Sequence, residues 1–574
     1  MTTLVFKFRD DLLPRRGAVW LEALNLSEAF FEQAEAFLQQ NGTAANPVKG
    51  LLQLLPRRKI ASLMEAIRSR IGVLPYSPFD AGGYEKLSRL AQRIRAYNLA
   101  NGAPTAPSQL PNLFNYFQID FPEPTDESTI QFVLGLFEAF LPHKAWFGFY
   151  LFDFVYLKDE PVSLSDTTPL EALKKTPNAG QFYFADMAIP SAMAASVAPG
   201  VTIIEADGWD LTHPQFAALH PTVVPIETKP FDPLSVPKQS GKLDHGTQIL
   251  GVLAARNTDA DTGPAPLGDV CRGIAPGVTI RLVSCLAKGT VLAGQGFKTI
   301  RYNELAAVLT AIDVTPSGET ILIELGTAGG RFPLDVLPGV YELLAFADQL
   351  DITVIAAAGN DKAILSTAPK NGTDEPLLPR DVRLAALTSQ LDNHSQTHWN
   401  AYTNKKNRDR INALYERHKG QIPSTVSKLS VPQFASSDAF LAYYQETPSP
   451  AILVGAASRV VDNQSVTFRL LDNSSRGNRV RVFAQGGGIL TTTIDGRYTA
   501  DMSDTSGAAA IIAGIVLLLQ QKAKSVGNAA LNPQTIAGWL TEAPTSGTVT
   551  TPQDQLAGLD AGVVPSCKTL LSHV

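Results

Sequence analysis

Cysteine is scarce in this chain: three residues, Cys271, Cys285 and Cys567, in 574. An odd number at those spacings builds neither a disulfide framework nor a zinc site, so the thiols are expected to be reduced core filler. Long apolar runs are missing as well. The longest, Gly507 to Leu519, falls short of the roughly 20 residues that a membrane-spanning helix needs. The start, MTTLVFKFRDDLLPRR, has acids and a proline where a secretory signal has its apolar stretch. A soluble, cytoplasmic protein is the expectation. Excess positive charge is also absent. The formal net charge is −6 and the pI about 5.8, so neither nucleic acid nor an anionic membrane is an expected partner. No HExxH and no GxxxxGK[ST] occurs, which removes the usual zinc peptidase and phosphate-loop chemistries. What remains is ordinary globular composition, 45% hydrophobic and 18% charged, and not a repeat or low-complexity chain.

The chain divides by texture. Helical periodicity marks the first part: Ile60, Leu63, Met64, Ile67 and Ile71 make one stripe, and Tyr84, Leu87, Leu90, Ile94 and Tyr97 another, closed by Asn101-Gly102. Residues 1–111 are therefore expected to form a helical region ending in a Pro-rich linker. Strand, helix and strand patterns over 112–157 predict a small β-α-β unit, followed by a polar tether over 158–198. From 199 onward, short continuous aliphatic runs (VTII, VTIRLV, TILIEL, ITVIAAAGN, AILVGAAS) alternate with helical stretches near 301–313, 338–350 and 505–521. Such runs belong to strands buried on both faces. The expected fold class is α/β, a doubly wound, mainly parallel sheet with ligands at the carboxyl ends of its strands. Residues 362–447, with a basic middle, interrupt this domain as an insertion.

Three short segments carry possible chemistry. In LDHGTQILGVLAA (243–255), His245 opens a helix of small residues that lets its ring face a cleft. In DTSGAAAIIAGIVLLLQQ (504–521), Ser506 sits in the first turn of an apolar helix, where backbone N–H groups favour an adjacent oxyanion. In AAAGND (356–361), Asn360 follows a buried strand and a glycine, where its amide can be a second oxyanion donor.

Taken together and in this order, the three segments resemble the subtilisin-like serine peptidases, from about residue 199 to 525. The supporting segments GIAPGVTI (273–280), ILVGAAS (452–458) and VFAQGGGILTT (482–492) fit the same pattern. The resemblance implies Ser506 as nucleophile, His245 as general base and then acid, and Asn360 as oxyanion donor. It further implies a peptide or protein substrate, and it likens the 112–157 unit to the family's inhibitory propeptide. No cofactor is implied. Calcium is common in the family, but no ligand cluster in this sequence is specific enough to assign.

Two positions depart from the family. Ala510 replaces the proline of the serine helix. In VTIIEADGWDLTHPQF (201–216), aligning the glycine and His213-Pro214 without a gap puts Ala206 at the place of the triad acid, flanked by Glu205 and Asp207. Some bacterial members with Gly-Trp at this point carry Glu there. Asp207, beside Gly208, becomes the preferred acid if a local bulge turns it inward. Glu205, or no acid at all, are the alternatives. Either acid, Asp207 or Glu205, gives a serine endopeptidase of regulated, limited action. No acid gives a pseudoprotease that binds peptides. Glu324, in ILIELG, stands where most relatives have Ser.

Overall fold

The structure is a computed structural model. It describes residues 3–8, 77–79, 81–101, 116–121, 152–158, 181–190, 199–227, 243–256, 271–288, 300–327, 332–360, 449–462, 465–477, 479–542, 547–550 and 562–574, with single positions at 113, 130, 133, 234, 330 and 365. The helical stripes before residue 77 and nearly all of the insertion at 362–447 lie outside these.

Near the N-terminus, β1 (Thr3–Phe8), β2 (Tyr116–Asp120) and β3 (Phe152–Lys158) form an antiparallel sheet in the order β2-β1-β3. This corrects the expectation for residues 1–157. The first strand comes from the presumed helical region and sits between the two strands of the presumed β-α-β unit, pairing Val5 with both Gln118 and Tyr156. TLVFKF has no polar–apolar alternation to mark it as a strand, and its residues 3–7 are all buried. One of those stripes does form helix α1 (Ala81–Ala100), with Tyr84, Leu87, Leu90 and Ile94 buried.

The main body begins with α2 (Tyr183–Asp186), β4 (Gly200–Glu205), β5 (Thr222–Val223), α3 (Asp244–Ala254) and β6 (Thr279–Ser284). A hairpin of β7 (Leu286–Lys288) and β8 (Ile300–Tyr302) leads to α4 (Glu304–Val314) and β9 (Thr320–Ile323). The hairpin β10 (Gly326–Thr327) with β11 (Phe332–Pro333) precedes α5 (Pro338–Gln349), β12 (Thr353–Ala357), β13 (Ile452–Asp462), β14 (Ser465–Leu470) and β15 (Val482–Gln485). A further hairpin, β16 (Ile489–Thr493) with β17 (Arg497–Met502), delivers the chain to α6 (Asp504–Ser525). Then come α7 (Pro533–Glu542), β18 (Gly547–Thr550), β19 (Val563–Val564) and α8 (Cys567–Ser572).

Ten of these strands make one sheet, ordered β14-β18-β19-β15-β13-β12-β9-β4-β6-β5. The pairs from β15 through β13, β12, β9, β4 and β6 to β5 are all parallel. After β4 the chain moves outward to β6, and after β9 it moves the other way to β12, β13 and β15. The switch point therefore lies between β4 and β9, whose carboxyl ends open a crevice. Glu205 and Glu324 directly follow the last register pair of these strands, Ile204 with Ile323.

The expected tether is in part a core element. Tyr183, Met187 and Ile189 are buried, the Tyr183 N–H donates to Gln485 Oε1 at 3.1 Å, and the Cys567 N–H donates to the Met187 carbonyl at 2.8 Å. Its apolar side chains, spaced too irregularly to read as periodic, bind it to the body. Helix α6 runs 22 residues, longer than the apolar run in the sequence, and is long and apolar enough to cross a membrane by length and composition. Nearly all of it is buried inside the protein, as the central core helix. All three cysteines are free and buried, and burial pushes the Cys271 and Cys567 thiols up to about 12.

The N-terminal elements pack on two adjacent helices of the main body. Lys7 Nζ and the Tyr116 hydroxyl both reach the Glu342 carboxylate on α5, each at 3.0 Å. From α1, Arg89 pairs with Asp313 on α4, and Arg93 donates to the carbonyls of Ile312 and Thr315.

Candidate active site

His245 is the second residue of α3, and every residue of that helix is buried. Three consecutive threonines clamp its first turns: Thr491 and Thr492 donate to the carbonyls of Gln248 and Thr247, and Thr493 donates to the Asp244 carboxylate. Gly246 permits the opposite contact. A Cβ there would lie 2.4 Å from the Gly208 carbonyl oxygen and 2.8 Å from Trp209 Nε1.

The carboxylate on the imidazole is that of Glu205. Its Oε2 lies 2.7 Å from His245 Nδ1, and its Oε1 accepts the Ala206 N–H at 2.8 Å. Asp207 is not in this position. Its Oδ1 accepts the Tyr302 hydroxyl at 2.9 Å, from the β7–β8 hairpin. The gapless alignment therefore erred by one residue, and no bulge turns Asp207 onto the ring. Glutamate has one methylene more than aspartate, which suits it to reach the ring from the last residue of β4. Burial alone pushes His245 toward its neutral form, but the charge and hydrogen bond of Glu205, with smaller contributions from Asp207 and Asp504, more than offset this. The net shift is upward from 6.5.

Ser506 lies in the first turn of α6, where N–H groups have no intrahelical acceptor. The helix is entered through Asp504 at φ +70°, a conformation unfavourable to a residue with a Cβ. The Asp504 N–H donates to the Gly486 carbonyl at 2.7 Å, and its carboxylate accepts from Asn473. These contacts fix the strained entry and hence the direction of Ser506. The Ser506 hydroxyl is fully buried and donates to the Glu324 carbonyl at 3.3 Å, while His245 Nε2 has no partner.

Asn360 stands across from this turn. Gly359, at φ +98°, bends the chain after β12. The Asn360 side-chain oxygen Oδ1 accepts both the Thr505 N–H at 3.0 Å and the Thr505 hydroxyl at 2.6 Å. Since N–H can only donate, the side-chain orientation is fixed, and the amide Nδ2 is left buried without a partner. It is an oriented donor awaiting an acceptor.

The structure thus gathers Ser506, His245 and Asn360 at the crevice, adds Glu205 and Glu324, and leaves Asp207 one contact away. Sequence reasoning kept Glu205 only as an alternative and missed the part Thr505 plays in aiming Asn360. The threonine before Ser506 was the available signal. Among the described residues no group of three or more His, Cys, Asp or Glu forms a metal cluster.

A buried carboxylate–imidazole pair, a serine at a helix N-terminus and an oriented amide, set at the switch point of a parallel sheet, define a serine-hydrolase class of site. The family model described as the subtilase family matches residues 206–558, more than half of the chain, and the protein belongs to that family, whose members are serine peptidases. The match begins at Ala206, so Glu205 lies immediately outside it.

Solved structures similar to this chain include the prenylagaramide maturation protease PagA, at 16% identity, covering 70% of this chain and 98% of that one with a TM-score of 0.36. The A-subunit of the AB5 toxin from E. coli is 16% identical over 68% of this chain and 98% of that one, with a TM-score of 0.39. A cold-adapted subtilisin-like serine proteinase is 15% identical over 66% and 93%, with a TM-score of 0.36. At such low overlap these pairs add nothing to the family match. None of the curated proteins compared with the chain matches it.

Proposed function

We propose that the protein is a serine endopeptidase working through a triad of Ser506, His245 and Glu205. The observation that carries this reading is the 2.7 Å contact between Glu205 and His245 Nδ1, both fully or almost fully buried. In the reaction, Ser506 turns from the Glu324 carbonyl to His245 Nε2, which takes its proton as Oγ attacks the peptide carbonyl carbon. The negative oxygen is met by the Ser506 N–H and Asn360 Nδ2. His245 then passes the proton to the departing amine. Water, deprotonated by the same nitrogen, hydrolyses the acyl-enzyme. Glu205 holds Nδ1 protonated throughout and stabilises the imidazolium.

The N-terminal sheet and α1 support limited, regulated action on protein substrates. They dock on neighbouring helices of the peptidase body through Glu342 and Asp313, as an inhibitory or chaperoning segment would. The competing reading, a pseudoprotease that only binds peptides, drew its motive from Ala206 at the acid position. Glu205 on His245 removes that motive. A fluorophosphonate probe tests the proposal: it should label the wild type and fail to label Ser506→Ala of unchanged thermal stability. Labelling that persists in the variant rejects Ser506 as nucleophile.

A further inference from the structure

Glu324 plays no part in the triad, yet it occupies the centre of the crevice. It is completely buried at the carboxyl end of β9, with its N–H donating to the Ile204 carbonyl at 3.2 Å and its own carbonyl accepting the Ser506 hydroxyl. Neither of its carboxyl oxygens has a hydrogen-bond partner among the described residues. It continues the in-register β4–β9 pairing beside Glu205, so the two glutamates stand next to each other on one face of the sheet. Glu205 is satisfied by His245 and the Ala206 N–H. Glu324 is left over, and a buried polar group without a partner demands an explanation.

An ionised carboxylate in that position would be both desolvated and repelled by Glu205. The charged group that acts on it is Glu205 at the end of β4; His245, which Glu205 holds, is in turn acted on by Asp207 from the turn after β4 and Asp504 from α6. The neighbouring strand β12, TVIAA, carries no charged or titratable group. Among the described residues no Lys or Arg forms an ion pair with it. A neutral carboxyl is different in kind: it has one O–H to donate. Peptides bring acceptors, their carbonyl oxygens, to the serine beside it.

We propose that Glu324 is a further catalytic residue of this site, a neutral carboxylic acid that donates its O–H to a carbonyl oxygen of the bound peptide next to Ser506. The proposal rests on the peptidase reading above. It makes turnover depend on Glu324 remaining protonated. Burial pushes its carboxyl well above the usual carboxylate range, and the Glu205 charge adds to this, while the Ser506 hydroxyl draws slightly the other way. Activity should then rise with pH as His245 loses its proton and fall again as Glu324 loses its own. The apparent values belong to the coupled group of Glu205, His245 and Glu324.

The experiment follows peptide turnover and fluorophosphonate labelling against pH for the full chain, Glu324→Gln and Glu324→Ala. Glutamine keeps an N–H donor and cannot ionise. It should retain kcat/KM within about threefold at the wild-type optimum and lose the alkaline limb, whereas alanine should lower kcat/KM about tenfold or more. A glutamine variant as inactive as the alanine one, an alanine variant equal to wild type, or an alkaline limb that persists in the glutamine variant overturns the proposal. Infrared spectra of wild type and Glu324→Gln supply a readout independent of activity. A protonated-carboxyl band at neutral pH should be present in the first and absent from the second, and its absence from the wild type overturns the proposal. If the wild type is not labelled at all, the peptidase reading itself fails, and the catalytic role of Glu324 with it.

Discussion

Glu205→Gln exposes the logic of the site most directly. The single carbonyl oxygen of glutamine has two claimants. The Ala206 N–H now bonds Oε1 at 2.8 Å, and His245 Nδ1 lies 2.7 Å from Oε2. If the amide oxygen stays with Ala206, its NH₂ faces Nδ1. That nitrogen must then be an acceptor, the proton moves to Nε2, and Nε2 can no longer take a proton from Ser506. If the amide flips, its NH₂ meets the Ala206 N–H, donor against donor, in a fully buried site. The first arrangement removes the productive tautomer, and the second keeps it only at the cost of that clash. The expected loss in kcat is about 10⁴, or about 5.5 kcal/mol of transition-state stabilisation. Steady-state kinetics on a peptide substrate would measure it, with circular dichroism to establish that the fold is kept.

The same variant should move the histidine. In the wild type the His245 pKa is raised above 6.5, because the Glu205 carboxylate outweighs burial. With the carboxylate gone, burial dominates and the pKa should fall, which NMR titration of the ring would detect. Asp207→Asn is the control, since Asp207 touches Tyr302 and not the ring; it should cost less than about tenfold in kcat. Equal damage from both substitutions, or a Glu205→Gln enzyme within about tenfold of wild type, would refute the assignment of the acid.

Further consequences can be checked separately. Asn360→Ala should lower kcat by about 10²–10³ with KM little changed, because its free Nδ2 acts on the negative transition state; a change mainly in KM would refute that role. Gly246→Ala should destabilise the protein by about 1–3 kcal/mol, seen as a lower Tm, because the added Cβ runs into the Gly208 carbonyl and the Trp209 ring. Glu342→Ala leaves Lys7, only 3% exposed, without this carboxylate. It should loosen the N-terminal sheet by up to about 3–5 kcal/mol, visible as faster hydrogen exchange confined to β1, β2 and β3. For stability, His245 carries a raised folded pKa, so its contribution is full below the unfolded value of about 6.5 and is lost as pH rises through the folded value. Urea unfolding of wild type at a series of pH values, compared with Glu205→Gln, should show that loss only in the wild type.

Much of the peptidase body could be read from local pattern. Aliphatic runs buried on both faces have no polar alternation to mislead, so the strands at 200–205, 279–284, 320–323 and 353–357 fell where the runs stood. Helices α4, α5 and α6 followed for the same reason. Ser506, His245 and Asn360 were legible because each sits in a short segment whose neighbours are constrained by backbone approach. The N-terminal sheet was not legible. Its central strand pairs with segments more than a hundred residues away, and nothing local to TLVFKF reveals those partners. The acid was decided by tertiary structure too. Glu205, Ala206 and Asp207 are equally near the needed place in sequence. Only the end of β4, packed between β6 and β9 and facing the first turn of α3, selects which carboxylate meets the ring. The pairing of Glu324 with Glu205 is of the same kind: two residues 119 positions apart become neighbours because parallel strands align their carboxyl ends.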